Sequence, residues 1–374
     1  MADFFNESST LLVFINLLMV YALYKLTSPA LKYPYTLASS KRKAAIVLTL
    51  LFVIFSFWGA DWFHYREGYQ DLIKGDVGHM ESIYGWIAQH LSIDYLTFRL
   101  VVWGSALIML NHTIKKLPIR YDLALCLFCS IWLIWFSYAR ASVAMTCIFL
   151  ATSLFLYSDS KLYIKVCALA MMVTSIFFHK TALFGIVCVI LAYSIHKLPK
   201  YITLFILIVG VIFLYLNLSS LLSDFVSISV DNEDGGFSNN VAVGQYYLNS
   251  ENLGASGIGD RIAKLLEQVS YYATLFCCIL FYRSNTKANI SESLNIFITS
   301  FVIIVIFSSV FYLDFGFYTR TLATRFMRFA MIPSVVVMSY FIEKGFKPRL
   351  TKIVIIISLL STFYSLGYSF YCHF

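Results

Sequence analysis

Long, mostly apolar blocks recur from one end of this chain to the other, separated by short polar turns. A transmembrane helix needs roughly 20 mostly apolar residues to cross about 30 Å of hydrocarbon. The first block is residues 11–24, LLVFINLLMVYALY. It lacks a basic leading region and a small-residue cleavage site, so it reads as a retained span and not as a signal peptide. Further blocks lie near 44–60, 96–113, 121–138, 142–158, 162–178, 181–195, 201–221, 270–282, 293–312, 326–342 and 352–370. The pattern predicts an all-α polytopic membrane protein of about 12 transmembrane helices. A separate soluble domain has nowhere to sit, so residues 1–374 form one transmembrane domain.

Composition agrees. Of 374 residues, 60% are hydrophobic and 13% are charged, a proportion no soluble core requires. Almost all of the eight cysteines fall inside the apolar blocks, where cysteine behaves as a small hydrophobe. Cys126 and Cys129 form a C-x-x-C without partner ligands in an apolar helix, which points to packing and not to a metal or redox centre. Neither metal nor cofactor is expected.

Charge supplies orientation, because loops rich in Lys and Arg stay in the cytoplasm. One set of alternating loops, from Lys25 through Lys115 and Lys197 to Lys352, holds 18 of the 28 cations. It holds only four of the 20 acids: Asp122, Asp159, Glu292 and Glu343. Assigned to the cytoplasm, it leaves both termini extracytoplasmic, along with the two long loops, 61–95 and 222–268. The net charge of +8 is then mostly a topology signal and gives no reason to invoke nucleic acid.

In the loop 61–95, Met80, Ile83, Tyr84, Ile87 and Leu91 repeat at helical spacing beside Glu81, Gln89 and His90. This predicts an amphipathic helix lying at the membrane surface. A solvated loop would account for scattered charges there. Asp61 and His64 sit at the mouth of a span, where a polar side chain is costly unless it serves a site or cavity. The loop 222–268 is rich in Gly, Asn, Ser, Asp and aromatics. That mixture suits carbohydrate and equally suits a long extracellular loop without a ligand.

Three more outer turns carry isolated polar residues: Arg140 in FSYARASVA, His179 in FFHKTALF, and Arg320, Arg325 and Arg328 in YTRTLATRFMRF. Singly, each has a plain structural explanation, since an Arg snorkels to headgroups and a His caps a helix end. Together they place guanidinium groups, imidazoles and a carboxylate on one face of one bundle. Arginine forks bind phosphate oxygens bidentately and stay charged when partly desolvated. A neighbouring carboxylate or imidazole can take a proton from an attacking hydroxyl, and a departing pyrophosphate can be stabilised without a metal. The expected substrate is a lipid-linked pyrophosphate.

With these residues in view, the chain resembles the EpsG family of Wzy-like exopolysaccharide and O-antigen polymerases. The family's Gly-x-Asp-x-x-x-Tyr pattern is matched by Gly59, Asp61 and Tyr65, with an acid beyond at Glu81. Its arginine at a span start is matched by Arg140, and its Phe-His-Lys-Ser/Thr-Ala turn by Phe178, His179, Lys180, Thr181 and Ala182. Its late arginine-rich turn is matched by Arg325 and Arg328. Two positions depart: Ala141 stands where Gln is frequent, and Phe329 where an aromatic hydroxyl is expected.

The resemblance implies a bundle similar to the GT-C glycosyltransferases. It implies transfer of glycan from an undecaprenyl-pyrophosphate-linked donor to a lipid-linked acceptor, at the outer leaflet of the bacterial cytoplasmic membrane. A chain-length regulator is the expected protein partner. On that reading Arg140, Arg325 and Arg320 or Arg328 grip the pyrophosphate, and His179 or Asp61 takes the proton. His64, Tyr65 and Glu81 shape the sugar site. One rival is a transporter, such as a flippase for lipid-linked oligosaccharide. It would break its helices near mid-membrane, often in two related halves, yet Pro333 is the one proline of six inside a span and no repeat is visible. The other rival is an acyltransferase or a different lipid-dependent glycosyltransferase.

Overall fold

The computed structural model describes residues 9–32, 36–56, 59–75, 81–91, 94–138, 140–157, 161–217, 258–284, 290–312 and 317–371. Among these, all regular structure is helical. In chain order the helices are α1 (Ser9–Thr27), α2 (Ser39–Phe55), α3 (Gly59–Lys74) and α4 (Ser82–His90). Then come α5 (residues 95–116, with a π-turn at Leu100–Gly104), α6 (residues 121–138, with a π-turn at Phe128–Trp132), α7 (Ala141–Leu156) and α8 (Leu162–Phe178). They are followed by α9 (Ala182–Ile195), α10 (Lys200–Leu216), α11 (Ile258–Arg283) and α12 (Glu292–Val310). The last are α13 (Phe317–Met327), α14 (Met331–Glu343) and α15 (Pro348–Tyr371).

Within the described residues the apolar blocks read from the sequence are helical, although 44–60 runs from α2 into α3 and 326–342 from α13 through a 3-10 turn into α14. Among the described residues, three stretches are long and apolar enough to cross a membrane by length and composition: Phe14–Leu31, Glu292–Val310 and Leu322–Glu343. Shorter apolar helices include Tyr121–Ser137, Ala141–Leu156, Leu162–Phe178, Ala182–Ile195 and Tyr201–Leu216.

The way apolar surface is distributed identifies a membrane bundle. Helices α7, α12 and α14 are buried on nearly every face and form the centre. Peripheral helices turn apolar stripes outward. On α8, Leu162, Val166, Leu169, Val173 and Phe177 are all exposed while Ala168, Met172 and Ser175 face inward. α10 exposes Leu204, Phe205, Ile208, Ile212 and Phe213. Water would not tolerate apolar faces of that extent, whereas lipid tails are as apolar as leucine.

Polar groups at the helix ends gather in two places. At one pole Asp122 accepts two bonds from the Arg42 guanidinium, at 2.6 and 2.9 Å, and one from the Leu37 backbone N–H at 2.9 Å. The Arg120 N–H donates to Glu343 at 3.0 Å, and Glu292 lies between His196 and Lys197 at 3.1 and 2.7 Å. This is the pole whose loops carry the excess of Lys and Arg. The candidate site lies at the other pole.

Two features there break the regularity. α11 begins at Ile258, so the end of the stretch 222–268 is helical, and residues 218–257 lie outside the described residues. α3 and α4 supply helix within the stretch 61–95. Tyr84, Gly85, Ile87 and Ala88 of α4 are buried against the bundle while Trp86, Gln89 and His90 are exposed.

Gly185 on α9 permits one close approach near this pole. A Cβ built there would stand 2.6 Å from Cδ1 of Phe329 and 3.1 Å from Cδ1 of Ile148. Both neighbours are fully buried, and overpacking of a dense core typically costs about 1–3 kcal/mol. Gly185→Val is therefore expected to lower the thermal midpoint of the detergent-solubilised protein by several degrees. An unchanged midpoint would show that α9 can move away from α7 freely.

Candidate functional site

Glu81, Arg140 and His179 are far apart in sequence, and three helix ends bring them together. Glu81 is the N-cap residue of α4, with extended backbone at φ −65° and ψ 144°. Arg140 is the N-cap residue of α7. His179 closes the C-terminus of α8, its backbone N–H donating to the Ser175 carbonyl at 3.2 Å. Arg140 Nη1 meets Glu81 Oε2 at 3.1 Å, and His179 Nδ1 stands 3.8 Å from Glu81 Oε1.

Tyr84 holds the three ends in place. Its ring is buried edge-on between Phe98 and Phe178. Its hydroxyl reaches the Phe178 carbonyl at 3.0 Å and the Arg140 carbonyl at 3.4 Å. One phenol thus ties α4 to both turns that carry the charged groups. In the sequence Tyr84 reads only as part of an apolar stripe, because its hydroxyl function appears only when three elements converge.

The side chains of Arg140, Glu81 and His179 are 21%, 14% and 12% exposed, so a ligand can reach them while little water surrounds them. Their electrostatics follow. Burial pushes the Glu81 carboxyl above its ordinary range, although Arg140, Lys180 and Arg325 pull it back. Burial, reinforced by the positive fields of Arg140, Arg325 and Arg328, holds the His179 imidazole well below its ordinary pKa. The imidazole is therefore neutral at physiological pH. Its tautomer follows from its neighbour. The Thr181 backbone N–H donates to Nδ1 at 3.3 Å, and the Thr181 hydroxyl lies 3.0 Å from the same nitrogen. Nδ1 is the acceptor, so Nε2 carries the proton.

Arg325 and Arg328 lie near enough to this cluster for their charge to act on His179, at the junction where α13 gives way to a 3-10 turn, Arg328–Ala330, before α14. Pro333 explains the break. It has no N–H to donate to the Phe329 carbonyl, and its ring crowds that carbonyl, so it is tolerated only within the first turn of a new helix. α13 is tied down by Thr324, whose hydroxyl lies 3.1 Å from that of Tyr312, and the Tyr312 hydroxyl accepts from Gln268 of α11.

Of the residues expected from sequence, Glu81, Arg140 and His179 meet in this cluster, and the charges of Arg325 and Arg328 act on it. Asp61, His64 and Tyr65 lie on α3 and Arg320 on α13, and their side chains lie outside the described residues.

Arg99 is inconspicuous in the sequence, although an arginine near the start of a span is a signal in itself. It is 1% exposed. Nη2 donates to the Val53 carbonyl at 2.8 Å, the Ser137 carbonyl at 2.7 Å and the Ser56 hydroxyl at 2.7 Å, and Nε donates to Val53 at 3.1 Å. No carboxylate pairs with it among the described residues. Val53 and Ser137 lie in the last turns of α2 and α6, where carbonyls lack intrahelical partners. Each helix C-terminus carries roughly half a negative charge, so two of them together balance one guanidinium. The same two helix ends lead into Asp61 and into Arg140.

The profile of the EpsG family matches residues 43–373, nearly the whole chain. The chain belongs to the EpsG family. Comparison with curated proteins and with solved structures finds no match. EpsG proteins are associated with Wzy-like polymerases, which makes this chain a membrane protein of polysaccharide biosynthesis, polymerase-like in general role. Glu81, Arg140 and His179 are residues whose side chains meet at one pole of this EpsG bundle.

Proposed function

We propose that this EpsG protein polymerises polysaccharide repeat units. It transfers glycan from an undecaprenyl-pyrophosphate-linked donor to a hydroxyl of a lipid-linked acceptor, at the outer leaflet of the bacterial cytoplasmic membrane. In this reading about 12 helices cross the bilayer and both termini lie outside. The site pole then faces the periplasm or exterior. The observation that carries the reading is the meeting of Arg140, Glu81 and His179, with Arg325 and Arg328 near enough for their charge to act on His179, at the pole opposite the cation-rich loops. Three permanent cations at a partly desolvated helix junction suit a pyrophosphate better than a neutral sugar.

Arg140, Arg325 and Arg328, with Arg320 on the same helix as Arg325, grip the pyrophosphate. Neutral His179 presents its Nε2–H to an oxygen of the substrate. Asp61 and Glu81 supply the carboxylates, and His64 and Tyr65 border the sugar. A chain-length regulator is the proposed protein partner. The test is a deletion strain. It is expected to accumulate undecaprenyl pyrophosphate carrying a single repeat unit and to make no polymer ladder, with the ladder restored by the intact gene. A strain that retains its ladder, or that accumulates the repeat unit on the cytoplasmic side as a flippase mutant would, overturns the reading.

A further inference from the structure

We propose that Glu81 is the proton acceptor of the transfer reaction and that Arg140 holds it in reserve until the donor pyrophosphate takes its place. The proposal rests on the polymerase reading above and adds to it which carboxylate acts and what releases it.

The geometry points to Glu81 in three ways. It is the carboxylate in contact with the arginine cluster among the described residues, its Oε2 lying 3.1 Å from Arg140 Nη1. His179 is spoken for, because the Thr181 N–H occupies Nδ1 and leaves the other nitrogen protonated, so the ring donates and has no free lone pair. Glu81 is also built to stay while its partner is exchanged. Its backbone caps α4 and its carbonyl accepts from the Tyr84 N–H at 2.9 Å, while the Tyr84 hydroxyl anchors α4 to the Phe178 carbonyl. Losing the Arg140 contact leaves these bonds intact.

A pyrophosphate offers Arg140 more negative charge and a better-matched pair of oxygens than one carboxylate oxygen does. When the donor binds, Arg140 turns to phosphate, and the Glu81 carboxylate is left partly buried, unpaired and more basic. The acceptor hydroxyl then gives its proton to Glu81 as its oxygen bonds to the anomeric carbon of the donor. The bond from that carbon to the phosphate oxygen breaks, and its electron pair leaves with undecaprenyl pyrophosphate. As the product departs, Glu81 loses its proton to water and closes again on Arg140.

The test compares Glu81→Gln with wild type in two measurements: binding of undecaprenyl pyrophosphate to the purified protein in nanodiscs, and polymer made in cells at equal protein level. A neutral amide keeps the shape of the side chain but competes less for Arg140. Binding is expected to tighten by about threefold or more, while polymer falls by about 100-fold or more, the contribution typical of a general base. A merely structural carboxylate would not tighten binding when removed. Asp61→Asn, assayed beside it, is expected to retain more polymer than Glu81→Gln. Wild-type polymer from Glu81→Gln, weakened binding in that variant, or loss of polymer in Asp61→Asn alone each overturns the proposal and leaves the polymerase reading standing. Wild-type protein that fails to bind undecaprenyl pyrophosphate overturns both. Should Glu81→Gln fail to accumulate, Glu81→Asp carries the test. It keeps the carboxylate but withdraws it from Arg140, so tighter binding with a partial loss of polymer supports the assignment. Unchanged binding sinks it.

Discussion

Arg140→Ala is expected to lower polymer output by at least about 100-fold at equal membrane abundance, the scale seen when one preorganised donor to a developing anion is removed. Two effects act in the same direction. The variant removes the guanidinium placed to hold the pyrophosphate, and it leaves Glu81 partly buried without the partner that stood 3.1 Å away. A lysine at this position keeps the charge but not the planar fork, so Arg140→Lys is expected to recover only a small part of the activity. The measurement is the polysaccharide ladder from cells carrying each variant on an otherwise deleted background. A full-length, full-intensity ladder from Arg140→Ala would remove this residue from the site.

Arg99→Met is expected to destabilise the bundle by about 3 kcal/mol, at or above the upper end expected for Gly185→Val. Two magnitudes bear on the size of the effect. Leaving a buried carbonyl without its donor costs about 1–3 kcal/mol, and this variant takes the charged donor from the Ser137 carbonyl and leaves the Val53 carbonyl with the Ser56 hydroxyl at 3.3 Å. Interhelical hydrogen bonds in membrane proteins average closer to about 0.6 kcal/mol, because the unfolded segments also find partners in the bilayer. The larger scale governs at Arg99, since the lost donor is a charged group facing two helix C-termini. Thermal unfolding in detergent gives the stability readout, with Arg99→Lys expected to fall between the variant and wild type. A midpoint for Arg99→Met equal to wild type would mean that the two helix ends find other donors at no cost. Ser137 lies one short turn before Arg140, so activity is expected to fall as well, even in the fraction that stays folded.

These two arginines differ in how visible they are in the sequence. Arg140 stands out because it interrupts two apolar blocks with almost no loop between them. Arg99 sits inside the edge of a block and counts there as one outer cation among others. Its importance comes from Val53, Ser56 and Ser137, which are remote in sequence and meet it only in the folded bundle. Tyr84 is the same case in milder form. Its place on the buried stripe of α4 is periodic and legible, whereas the two carbonyls its hydroxyl reaches belong to the turns at 140 and 178. Glu81 reads from sequence as a neighbour of the sugar, and its closest charged partner in the fold is Arg140.

The apolar blocks along the chain by themselves determined the all-helical class, the place of most apolar helices and the membrane setting, because helix length and lipid contact are local properties of about 20 residues at a time, whereas α3, α13 and the first turns of α11 lie in stretches that read as loop or turn. The Lys and Arg bias likewise separated two poles, since it is summed over loops and needs no contact map. The tertiary structure alone decided which helix ends touch. That placed Glu81 against Arg140, set the tautomer of His179 through Thr181, and brought the charges of Arg325 and Arg328 near His179. Contacts of this kind depend on how helices with interchangeable apolar surfaces pack and where a residue such as Pro333 bends the chain. In a sequence where most positions are apolar, the pairing of helix ends has no local signature.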